Sequence, residues 1–176
     1  MTWRKQVLVL LLFVLFLFEG SVLPWFMPEA WSEHLMPNLI FVCVLFVAVY
    51  RHRYAGMVLG AVFGMLHDVV YYGAMLGPYS FTMGFTAYVL GLIFQLPKAP
   101  LPVMLGVVMI GSFMLDSMLF GIYTVFDFNN QPYNWALIQY IIPDLLFRVV
   151  FALIVYVPIR RQFDKMPLRP KKEENE

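Results

Sequence analysis

From Gln6 to Phe26 the chain carries a single ionisable side chain, Glu19, in a run dominated by Leu, Val and Phe. A helix needs about 20 mostly apolar residues to cross a hydrocarbon core of about 30 Å. This stretch is long enough, and five more of similar character follow it. The predicted spans are residues 6–26, 36–50, 55–72, 79–96, 101–126 and 133–159. Together they use roughly 120 residues and leave only short loops. The second is the shortest, so it must extend back through Trp31, tilt, or thin the bilayer locally. Composition agrees, because 61% of the 176 residues are hydrophobic and 13% are charged. Soluble domains carry about 45–50% and about 25%. The mean hydropathy of +0.75 belongs to the same picture. A water-soluble fold, a disordered chain, a collagen, a disulfide scaffold and a nucleic-acid binder are all excluded on these grounds. Cys43 is the lone cysteine. It can form no internal disulfide, and no Cys/His spacing suits a metal, so neither metal nor cofactor is expected.

The expected fold is an all-α integral membrane protein, a bundle of six transmembrane helices. Residues 1–159 form one domain, since no loop is long enough to be a module and no repeat is visible. Residues 160–176, rich in Lys, Arg, Glu and Pro, read as a disordered tail with some attraction to anionic lipid heads. Basic residues set the orientation. Arg4 and Lys5 precede the first span, Arg51 and Arg53 follow the second, Lys98 follows the fourth, and Arg160, Arg161 and Lys165 follow the sixth. The other three loops contain no lysine or arginine. Both termini are therefore expected in the cytoplasm. The basic start and apolar core of the first span look like a signal peptide, but Glu19-Gly20-Ser21-Val22 offers no small-x-small cleavage site, so the segment reads as retained.

Two patterns inside the spans carry further meaning. Gly56, Gly60 and Gly64 recur every four residues and line one face of a helix, which lets another helix approach closely. That helix belongs either to this chain, with Gly84, Ala87 and Gly91 as a matching stripe, or to another protein. The second pattern is charge. Glu19, His67, Asp68, Asp116, Asp144 and Arg148 all fall within spans, and each costs roughly 2.5–3.5 kcal/mol if left unpaired at the centre. At 1.5 Å per residue, Glu19, Asp68 and Asp116 lie about 20 Å from the cytoplasmic start of their helices. Asp144 and Arg148 have i,i+4 spacing and can pair, either as a structural staple or as a functional site. Pro143 frees the carbonyl of Gln139 and bends the helix there. Four acids against one arginine leave three carboxylates to be neutral, hydrated by an outward cavity, or paired with cations from another protein. No HExxH, GxSxG, P-loop or GxGxxG is present, so catalysis is not expected. In the loop after the first span, Trp25, Phe26 and Trp31 are either an interfacial anchor or a contact for a partner's juxtamembrane segment.

The segment Gly60-Ala-Val-Phe-Gly64-Met-Leu-His-Asp68 precedes Tyr72-Gly73-Ala-Met-Leu-Gly77 and then Phe81-Thr-Met-Gly-Phe-Thr-Ala-Tyr88. With Pro37-Asn38 opening the second span, this resembles the MreD family of bacterial rod shape-determining membrane proteins. His67 departs from the family pattern, where an apolar residue is more usual. The resemblance implies a non-catalytic scaffold or regulator of the elongation machinery, acting in rod shape and lateral peptidoglycan synthesis in the bacterial cytoplasmic membrane. It implies association with MreC, and work alongside MreB, RodA and a class B transpeptidase. Buried charge and close packing put Asp68 and the Gly56, Gly60 and Gly64 face at the expected functional core. The family is similar in size and plan to the S components of energy-coupling-factor transporters, which share the expected fold. The alternative function is therefore a substrate-binding S component, with Glu19, Asp68 and Asp116 lining an outward cavity. Against it, the first span offers no small residues through Val7–Phe18 for docking on a transporter partner.

Overall fold

The structure, a computed structural model, describes residues 2–21, 38–71, 75–94, 96, 99–128 and 131–164. Among them are six helices and no strand. These are α1 (Thr2–Ser21), α2 (Leu39–Tyr50), α3 (Arg53–Val70), α4 (Pro78–Ile93), α5 (Leu101–Val125) and α6. The last is built end to end from an α-helical turn Tyr133–Ala136, a π-helical stretch Leu137–Ile141 and a long α-helical run Ile142–Asp164. α6 thus continues past residue 159 into the start of the expected tail. Trp25, Phe26, Trp31 and residues 165–176 lie outside the described residues.

α2 is the axis of the molecule. α1, α3, α4, α5 and α6 all pack against it, and every residue from Leu39 to Val49 is buried, none more than 6% exposed. An apolar run with no polar face can only be stable when something covers every side. Here the cover is the rest of the chain. α2 is a 12-residue helix surrounded by protein, and the stretch through Trp31 lies outside the described residues. α2 begins at Leu39 rather than Met36 because Asn38 caps it, its Oδ1 accepting from the Phe41 N–H at 3.1 Å.

The outer helices are one-sided. On α3, Gly56, Gly60, Phe63, Gly64, His67 and Asp68 face inward, a spacing of three and four that marks one stripe of a helix. Val58, Val62, Met65 and Val69 of the same helix are exposed. Consecutive helices run in opposite directions. At one end the Tyr50 and Tyr156 hydroxyls both donate to the Ala99 carbonyl, at 2.9 and 3.3 Å. At the other end lie Glu19, Asn38, Asp68 and the start of α4. Two helical stretches, Leu101–Val125 and Tyr133–Val157, are long and apolar enough to cross a membrane.

Candidate functional site

Asp68 stands in the last turn of α3, buried to 1% exposure. Its Oδ2 accepts from the Gly77 N–H at 3.0 Å and the Ser80 N–H at 3.3 Å, and its Oδ1 from the Tyr79 N–H at 3.3 Å. These are the unpaired donors at the start of α4. The local sequence cannot satisfy them, since Gly77, the residue before the helix, has no side chain and sits at φ 114°. The carboxylate of a neighbouring helix does so instead, at the positive pole where a negative charge is favoured. One turn earlier, Gly64 makes this reach feasible. A Cβ there would lie 2.5 Å from the Tyr79 carbonyl oxygen, and one on Gly60 would lie 2.8 Å from that of Met83. Gly56 lies against Ala48 of α2. The stripe is therefore occupied within the chain, Gly60 and Gly64 by α4 and Gly56 by α2. Gly84 returns the contact from α4, facing Met57 and Ala61. The Ser80 hydroxyl completes it by donating to the Ala61 carbonyl at 2.8 Å.

Glu19 repeats the device. Its Oε2 accepts from Leu39 N–H at 3.1 Å and Ile40 N–H at 3.3 Å, so α1 supplies an anion to the start of α2. Beside it the Asn38 amide donates to the Met83 sulfur at 3.3 Å. His67, the unusual residue of the motif, is stacked between two rings, with centroids 4.4 Å from Tyr71 and 4.2 Å from Tyr79. It shares no ligand or hydrogen bond with Asp68.

The third polar group is a triad. Arg148 is 1% exposed, and its Nη1 donates to both oxygens of Asp116 at 3.0 Å. Its Nη2 pairs with Asp144 Oδ2, one turn away on the same helix. The guanidinium also lies 6.0 Å from the centre of the Phe41 ring of α2. Asp144 Oδ1 and Arg148 Nε are buried without a partner. The expected i,i+4 pair is therefore only half of the arrangement, and Asp116, 32 residues away, is the other half. The bend expected at Gln139 takes the form of the π-helical stretch, which lies just before Pro143. Proline removes the N–H that Gln139 would have bonded, and a widened turn re-pairs the backbone around the gap.

Arg148 also acts electrostatically on Glu19, His67 and Tyr79. Among the described residues Glu19, Asp68 and Asp116 have separate engagements: a cap on α2, a cap on α4 and an ion pair with α6. Sequence reasoning missed both caps. The signal was available for one of them, since Gly77-Pro78 starts a helix and provides no capping side chain. Among the described residues no group of three His, Cys, Asp or Glu could hold a metal ion.

Charged groups engaged inside, with apolar side chains outside, is the distribution expected of a helical membrane protein. Residues 2–166 match the family described as rod shape-determining protein MreD, and the chain belongs to that family. It is a family of shape-determining membrane proteins not known as enzymes. No curated protein and no solved structure matches the chain.

Proposed function

We propose that the chain is a non-catalytic membrane scaffold or regulator of the cell-elongation machinery, helping to maintain rod shape and lateral peptidoglycan synthesis through association with MreC. In this reading all six helices span the cytoplasmic membrane, both termini are cytoplasmic, and the bundle has the plan of an S component. MreB, RodA and a class B transpeptidase belong to the same assembly, and Trp25, Phe26 and Trp31 contact a partner outside the membrane. The observation that carries the reading is the family match along nearly the whole chain. The internal engagement of Glu19, Asp68, Asp116, Asp144 and Arg148 supports it, because these groups brace helices rather than stand ready for a reaction.

The test is extraction from native membranes in mild detergent, followed by mass spectrometry of what stays bound. A single-pass MreC-like protein with a transpeptidase is the expected result. Paired ABC-type ATPases with a coupling subunit would overturn it in favour of the transporter. Within cells, Asp68→Asn and Gly60→Leu are both expected to round up rods, and rods intact with both would remove these residues from the functional core.

A further inference from the structure

The end of the bundle opposite Asp68 carries a second polar group that bracing does not explain. Arg51, His52 and Arg53 are consecutive between α2 and α3, all half-buried. Arg51 follows the last turn of α2, where a cation suits the negative pole. Arg53 is different. It opens α3 at the positive pole, where a cation is disfavoured, and no acidic residue stands in that first turn. Among the described residues the ion pairs are those of Arg148 alone, so neither Arg51 nor Arg53 is neutralised there. Yet Arg53 is held in place. Its guanidinium carbon lies 5.1 Å from the Tyr54 ring centre and 5.9 Å from that of Tyr88 on α4. The His52 ring leans on Tyr54 at 5.3 Å. A Cβ on Gly91 would lie 3.1 Å from Arg53 Cα, so α4 also presses directly on its backbone. Among the described residues the Arg53 Nε and His52 Nδ1 atoms are buried with no partner, while the Arg53 side chain also hydrogen-bonds Tyr54.

A guanidinium held against two tyrosines, two residues after another arginine and with no carboxylate paired to it among the described residues, is prepared for an anion supplied from outside. The planar fork of arginine favours an oxyanion that can take two parallel hydrogen bonds. We propose that Arg53, oriented by Tyr54 and Tyr88, and Arg51 two residues before it form a binding site for a phosphate group that carries no cation of its own. In the six-span reading, on which the lipid source of this ligand rests, this end meets the cytoplasmic leaflet, whose anionic head groups present that chemistry. A soluble phosphate-bearing ligand presents it equally.

The test uses the full-length protein in bilayer discs of phosphatidylcholine alone or with about one-third phosphatidylglycerol. Entry into the discs is scored separately, so failure of the spanning arrangement is visible on its own. Phosphatidylglycerol is expected to raise Tm by about 5–10 °C, the size given by a ligand present at about a hundred times its Kd on a chain of this length. Arg53→Gln is expected to abolish the rise, each variant being measured against its own Tm in phosphatidylcholine. Arg53→Lys keeps the charge and loses the fork, and is expected to keep less than about half of it. Inorganic phosphate added to phosphatidylcholine discs at constant ionic strength separates the sources. A rise sensitive to Arg53→Gln there points to a soluble ligand, and its absence alongside a phosphatidylglycerol effect points to lipid. No rise with either probe, or a rise that Arg53→Gln leaves intact, overturns the proposal.

Discussion

Removing Arg148 isolates two carboxylates, Asp116 and Asp144, that its guanidinium holds in the interior. Breaking a buried pair costs about 3–5 kcal/mol, because the surviving charge is left without compensation. Arg148→Met is therefore expected to lower Tm in detergent by about 10 °C or more. Adding Asp116→Asn and Asp144→Asn removes the stranded charges and should recover at least about half of the loss. A thermal melt of the single and triple variants checks both statements. The sequence showed one edge of this triad, Asp144 with Arg148, because i,i+4 spacing is a local property. It could not show the other edge. Asp116 sits on a different helix, and nothing in a single sequence states which faces of two helices meet. The fate of Glu19 and Asp68 stayed open for a related reason. A carboxylate in an apolar run can be neutral, hydrated or paired until the helix start that it caps is known.

Helix limits were far more legible. α3, α4 and α5 begin and end within about three residues of the expected spans, and their starts fall at Arg53, at Gly77-Pro78 and after Pro100. The glycine stripe was legible as a stripe, with the α4 face around Gly84 as one of two candidate destinations, while the contact of Gly56 with Ala48 of α2 was not legible. Its three members differ in the room around them, and that sets an order of sensitivity. Gly64→Ala forces a Cβ into the Tyr79–Ser80 backbone at 2.5–2.7 Å, and backbone cannot rotate aside. A loss of about 2–4 kcal/mol is expected, with α4 displaced from the Asp68 cap. Gly106 on α5 has nothing within 4 Å. Gly106→Ala is therefore expected to be neutral or stabilising, by up to about 1 kcal/mol. Equal Tm changes for the two variants would show that the α3–α4 contact does not depend on close approach.

At the scale of the whole molecule, the arrangement of ends can be tested with chemistry that the chain already supplies. Cys43 lies on α2 at 3% exposure, so the native protein is expected to be silent to a membrane-impermeant maleimide. Asp127→Cys, at the turn after α5, should label in intact spheroplasts, and Arg51→Cys only after permeabilisation. Labelling of both from outside would remove the proposed orientation. The central position of α2 has a consequence for how such a protein comes into being. At 12 residues it is about 18 Å long, well short of the hydrocarbon thickness, and its start is capped by Glu19 of α1. Lipid tails can cover its apolar sides but offer no partner for its first N–H groups. During synthesis α2 is therefore expected not to wait in the bilayer as a finished segment for later helices to find. It has to be delivered with α1 already beside it, and be sheltered by the insertion machinery until α3 to α6 close around it. The biogenesis of this protein is thus a problem of escorting its most hydrophobic helix, and loss of such an escort should deplete it more severely than proteins of equal hydropathy whose spans are each long enough to stand alone.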